Sequence, residues 1–111
     1  MKIIIAGSRT FNDYGKLKLA LRDLDIPVTE IVSGGAKGAD ALGERYAREN
    51  GIPLTRFPAD WEKHGKPAGF IRNKQMAKYG EVLVAAWDGQ SRGTKNMIDE
   101  AKKQKLLIYY I

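Results

Sequence analysis

The sequence predicts a doubly wound α/β fold, and three observations carry that reading. Short, almost continuous apolar runs such as "IIIA" and "VLVAA" suit strands buried on both faces of a parallel sheet. Between them, apolar residues recur at the three- and four-residue spacing of amphipathic helices. Glycine-rich turns follow two of the runs directly. Strands alternating with helices through right-handed crossovers give a Rossmann-like parallel sheet of five strands. Its expected order is 3-2-1-4-5, with helices on both faces.

Taken in order, Lys2–Ala6 is a buried strand. Tyr14–Leu24 carries Leu17, Ala20, Leu21 and Leu24 on one helical stripe, and Pro27 closes the connection to a second strand, Val28–Val32. Ala39, Leu42, Gly43 and Tyr46 repeat the stripe, and Asn50-Gly51 supplies a C-terminal stop. Pro53–Phe57 is a less apolar third strand, suited to an edge. A long polar loop, Pro58–Lys66, follows. Pro67 is placed as a first helical residue, and that helix runs to about Tyr79, with Phe70 and Ala77 packing inward. Glu81–Ala86 is the fourth strand. Thr94, Met97, Ile98 and Ala101 mark the last helix, and Leu106–Ile111 the last strand.

The composition narrows the function classes. A chain of 111 residues holds one domain with one core. It has no run of about 18 apolar residues, so no membrane span is expected. The opening "MKIIIAG" is shorter than the roughly 7–15 apolar residues of a secretory signal and reads as a strand. The absence of Cys excludes disulfides and thiolate metal sites and fits a reducing cytoplasm. With one His, only carboxylates remain to hold a metal, so neither a metal nor another cofactor is expected. A net charge of +6 favours anionic partners, although the Lys and Arg residues are scattered.

In a sheet of this order, ligands bind beyond the carboxyl ends of the strands, where the winding reverses. Three loops fall there: "GSRTF" after strand one, "SGGAKGAD" after strand two and "WDGQSRGT" after strand four. Each combines Gly with Ser or Thr and contains a cation (Arg9, Lys37 or Arg92). Glycines let backbone N–H groups approach an oxyanion, and helix N-termini add unpaired donors. The second loop is not a Walker A motif, because Lys37 precedes Gly38 and Ala39 follows it. It also lacks the G-x-G-x-x-G spacing. The expected ligand contacts are Gly7, Ser8, Arg9, Ser33, Gly34, Gly35, Lys37, Gly38, Ser91, Gly93 and Thr94. Trp61 and Trp87 are candidates for stacking on a base, and Asp60 and Asp88 for ribose hydroxyls. Arg72 and Asn73, on the helix after the long loop, complete the set. His64, alone in a polar loop, is read as a solvated surface residue.

"GSRTF", "SGGAKGAD", "FPADWEKHGKPAGFIRNKQM" and "WDGQSRGTKNMIDEA" together resemble the YspA/YpsA-related branch of the SLOG superfamily, relatives of Smf/DprA and of the LOG lysine-decarboxylase-like proteins. The resemblance covers nearly the whole chain and implies a nucleotide or nucleotide-derived ligand in the crevice. LOG phosphoribohydrolases use a helix Arg and the first Glu of a P-G-G-x-G-T-x-E-E loop. Arg72 matches the Arg and Gly93-Thr94 the Gly-Thr, but Lys95-Asn96 followed by Met97 stand where the Glu residues belong. Binding, for sensing or sequestration, is therefore the leading expectation, and Arg72 is catalytic only if the protein is an enzyme. N-glycoside hydrolysis or transfer on nucleotides is one alternative. Binding of single-stranded nucleic acid is the other. The tyrosines of "LLIYYI" on an edge strand point to a homo-oligomer.

Overall fold

In the computed structural model, which describes residues 1–111, ten elements follow one another. They are β1 (Lys2–Gly7), α1 (Tyr14–Asp23), β2 (Glu30–Ser33), α2 (Ala39–Glu49), β3 (Leu54–Arg56), α3 (Trp61–His64), α4 (Ala68–Tyr79), β4 (Val82–Ala86), α5 (Arg92–Lys103) and β5 (Leu107–Tyr110). The strands form one parallel sheet in the order β3-β2-β1-β4-β5. This is the expected architecture. No helix is long and apolar enough to cross a membrane.

The alternation of side chains along β1 divides the core. Ile3 and Ile5 join Leu17 and Leu21 of α1 and Ala47 of α2 on one face. Ile4 and Ala6 join Met76 and Ala77 of α4 and Met97, Ile98 and Ala101 of α5 on the other. The register holds the two faces together, with Ile4 opposite both Val32 and Leu83. All five residues of β4 are buried, as befits a strand covered on both faces. Leu107, Tyr109 and Tyr110 remain exposed on the β5 edge.

Local chemistry explains where the helices begin. Asp13 caps α1 by accepting from the Lys16 N–H at 3.0 Å, and Ser91 caps α5 by accepting from the Thr94 N–H. The expected loop Pro58–Lys66 contains a further helix, α3, because Asp60 accepts from the Lys63 N–H at 3.1 Å and nucleates one turn. Pro67 stands at the cap of α4 rather than inside it. Phe70 does not pack inward: it is 50% exposed. It lies nearly two turns before Ala77 on the same stripe, and the sheet-facing cluster takes in α4 only from Met76 onward.

Leu17→Ala, at a fully buried position, is expected to lower stability in urea unfolding by about 2–5 kcal/mol. Leu19→Ala, on the exposed side of the same helix, should stay within about 0.5 kcal/mol. Equal losses would mean that α1 presents a different face to the sheet.

Candidate functional site

The β1–α1, β2–α2 and β4–α5 loops meet beyond the carboxyl ends of their strands. The first contact is backbone to backbone. Gly38 has φ +76°, and a Cβ there would overlap the Ser8 and Arg9 backbone. Only a glycine lets the β2–α2 loop close against the β1–α1 loop in this way. The Ala39 N–H then donates to the Ser8 carbonyl at 3.3 Å. Because glycine also occupies the cap of α2, no side chain caps that helix, and Asp40 of its first turn lines the crevice.

Arg72 of α4 ties these parts together. Its Nη1 donates to the Gly34 carbonyl at 2.5 Å and to the Phe57 carbonyl at 3.4 Å, and its Nε donates to Asn73 Oδ1 at 3.0 Å. The guanidinium packs where Gly34 has no side chain; a Cβ there would overlap it. Asn73, itself buried, passes the connection on. Its Nδ2 donates to the Gly93 carbonyl at 3.2 Å and to Asn96 Oδ1 at 3.0 Å, which fixes the start of α5 against α4. With three of its five N–H donors used, Arg72 keeps the two on Nη2 for another partner. Burial holds its pKa below the usual guanidinium value, nearby Asp40 works against that shift, and Arg9 adds to it.

The resulting crevice has two joined lobes that share Arg9, Ala36 and Arg72. The outer lobe encloses about 330 Å³ and adds Gly34, Gly35, Arg56 and Trp61 to the wall. The inner lobe, about 110 Å³, lies among Asp40, Ser91, Gly93 and Thr94 over an apolar floor of Ala6, Met76 and Met97. Three guanidiniums therefore face one carboxylate. Arg56 is already paired: its Nε donates to Glu44 Oε2 at 3.1 Å and its Nη2 to Glu44 Oε1 at 2.5 Å, which leaves the Nη1 donors and one Nη2 donor. Arg9 has no ion-pair partner in the chain.

Not every expected residue reaches this space. Gly7, Arg9, Gly34, Gly35, Arg72, Asn73, Ser91, Gly93 and Thr94 line it. Ser33 is fully buried and its hydroxyl is committed, donating to Glu44 Oε2 at 2.7 Å and accepting from the Gly35 N–H. Lys37 and Arg92 stand exposed outside both lobes. Gly38 acts through its contact with the first loop. Asp60 caps α3, and His64 ends that helix without reaching either lobe. Ser8, Trp87 and Asp88 line a separate cavity of about 180 Å³ beside Lys16 and Thr10. There Asp88 accepts the Gln90 and Ser91 N–H groups, which hold its carboxyl below the usual range. The Trp87 Nε1 donates to the Ser91 carbonyl, while the buried Ser8 hydroxyl lacks a partner. No group of three or more His, Asp or Glu side chains is placed to hold a metal ion.

Two charged lining residues escape the sequence reading. Arg56 ends β3, so the rule that selected the other loops also points to it. Asp40 sits in the first turn of α2, where an acid ordinarily reads as a partner of the helix dipole. It is 6% exposed and accepts from the Ala36 N–H at 3.2 Å. Burial raises its pKa above the usual carboxylate value, against the opposing effects of that N–H and of Arg72.

Asn73→Leu removes the bridge between α4 and the α5 loop and strands the Arg72 Nε and the Asn96 amide. It is expected to cost about 1–3 kcal/mol in denaturant unfolding. A loss below about 0.5 kcal/mol would show that the bridge does not hold the crevice.

A protein-family model described as YAcAr, the YspA, cpYpsA-related SLOG family, matches residues 1–64, which run from β1 through α3. The chain is also similar to "Gene 61 protein" of Mycobacterium phage D29. The two are 38% identical over 112 aligned positions, which span 92% of this chain and 89% of the relative. No solved structure matches the chain.

Proposed function

Because the chain belongs to the YspA, cpYpsA-related SLOG family, we propose that its crevice binds a nucleotide or a phosphorylated nucleotide derivative, for sensing or sequestration. The observation that carries this reading is the charge of the crevice wall. Arg9, Arg56 and Arg72 line the outer lobe without a carboxylate among its walls. Guanidinium forks match phosphate oxygens in pairs. Arg72 is already fixed by its carbonyl partners, so less side-chain entropy is lost when it engages an anion. Trp61, 56% exposed on the rim, offers a face for a base.

Cleavage of an N-glycosidic bond is the second reading, and Asp40 is the observation that keeps it open. Asn96, where LOG enzymes have Glu, is bonded to Asn73 and supplies no acid. An oxocarbenium-like transition state needs a carboxylate near the sugar, and Asp40 is the acid in the inner lobe. The crevice is compact and shows no long basic groove with a series of aromatic platforms, so single-stranded nucleic acid is the less favoured partner.

Calorimetric titration with nucleoside monophosphates, dinucleotides and cyclic nucleotides is expected to find one-to-one binding for at least one class. Arg9→Ala should weaken that binding by about tenfold or more, the loss of a charge-assisted contact, while stability stays within about 0.5 kcal/mol. Release of free base during incubation would move the reading from binding to hydrolysis. Absence of binding across all three classes would remove it.

A further inference from the structure

The two lobes differ in chemistry. The outer lobe offers the guanidiniums of Arg9 and Arg72 and the remaining donors of Arg56, whose Nε and Nη2 are paired with Glu44. The inner lobe, which Arg9 and Arg72 also line, adds an acceptor, the buried carboxylate of Asp40, above the methionine floor. Asp40 and Arg72 do not form an ion pair, although each feels the other's charge. The buried carboxylate thus relies on loop backbone alone, the Ala36 N–H at 3.2 Å and the nearby Gly34 N–H, with no side-chain donor. A second phosphate placed in the inner lobe would meet a like charge. A neutral donor would satisfy the carboxylate instead, and the methionines would accept the C–H surface beside that donor. Arg9, Ala36 and Arg72 line both lobes, so the donor and the anion must lie close together in one molecule.

We propose that the crevice selects a sugar phosphate unit, with its phosphate on the arginines of the outer lobe and a sugar hydroxyl donating to Asp40 in the inner lobe. This rests on the nucleotide-binding reading and extends it. Asp40 becomes the residue that separates hydroxylated sugar phosphates from bare phosphates and from deoxygenated analogues. The arginines supply affinity that all phosphates share, and Asp40 supplies the selectivity.

The test titrates the intact chain with a ribonucleoside 5′-monophosphate, its 2′,3′-dideoxy counterpart, ribose 5-phosphate and inorganic pyrophosphate. The wild type is expected to bind the ribonucleotide about ten- to a hundredfold tighter than the dideoxy compound, the range for a hydrogen bond to a charged group. Ribose 5-phosphate should bind detectably. Asp40→Asn, which keeps only a neutral amide acceptor, should narrow the preference for the ribonucleotide, and should bind pyrophosphate as tightly as the wild type does or tighter, because a negative charge has gone. Equal binding of the two nucleotides by the wild type overturns the assignment and needs no variant, so it stands even if Asp40→Asn misfolds. An equal loss of nucleotide and pyrophosphate binding in Asp40→Asn also overturns it. If the wild type binds none of the four compounds, the nucleotide-binding reading itself fails, a result distinct from failure of the Asp40 assignment alone.

Discussion

The guanidinium of Arg72 is the constraint on which the crevice depends. It reaches from α4 to the carbonyl of Gly34 in the β2–α2 loop and to Phe57 just past β3, and through Asn73 it reaches the start of α5. One side chain thus fixes three segments that the sheet alone would leave free. The contact requires that Gly34 have no side chain. It also requires that a cation be partly desolvated, which burial penalises and Asp40 partly offsets. Hydrogen bonds from a charged donor are worth about 1.5–3 kcal/mol each, enough to hold loops whose own contacts are few. The same arrangement leaves Nη2 donors in the cavity, so the group that builds the site is also ready to act in it.

The sheet supplies the rest. With β1 at the centre of the order β3-β2-β1-β4-β5, the β2–α2 and β4–α5 loops flank the β1–α1 loop. The helices that follow β2 and β4 start where those strands stop, so their N-termini lie on one rim. Polar groups there fall into two kinds. Ser33, Glu44, Asp60, Asn73 and Asp88 spend their hydrogen bonds on the protein and set the shape of the loops. Arg9, the Nη2 of Arg72 and the carboxylate of Asp40 keep capacity for something else. A buried acid held only by backbone N–H groups is costly, and a ligand donor would offset that cost.

Much of this was legible in the residues. The near-continuous apolar strands and the helical stripes led to the sheet order, because both reflect burial, which the fold preserves. Boundaries moved by one or two residues: the second strand begins at Glu30 and ends at Ser33 rather than running over Val28–Val32. The α3 turn was hidden because a single Asp cap makes a helix too short for periodicity to register. Phe70 shares its stripe with Ala77 but stays outside the buried cluster that Ala77 joins, and a helical wheel cannot show where the partner surface stops. At the site, glycines and the Arg-Asn pair were readable because backbone closeness and bidentate donors demand those types. Lys37 was misplaced in the opposite sense, since a cation inside a glycine loop need not face what its backbone faces. Asp40 and Arg56 went unread because one looked like a helix-dipole partner and the other like an edge-strand charge.

The most direct test of the central claim is a ¹⁵N-detected NMR titration with a ribonucleoside monophosphate, following backbone amides and arginine Nε groups together. Binding in the crevice predicts saturable shifts concentrated at Gly34, Gly35, Ala36, Gly93 and Thr94 and at the side chains of Arg9 and Arg72. Lys37 Nζ and the β5 edge should stay unmoved. Shifts gathered instead around Trp87, Asp88 and Lys16, along Leu107–Tyr110, or nowhere would contradict the account.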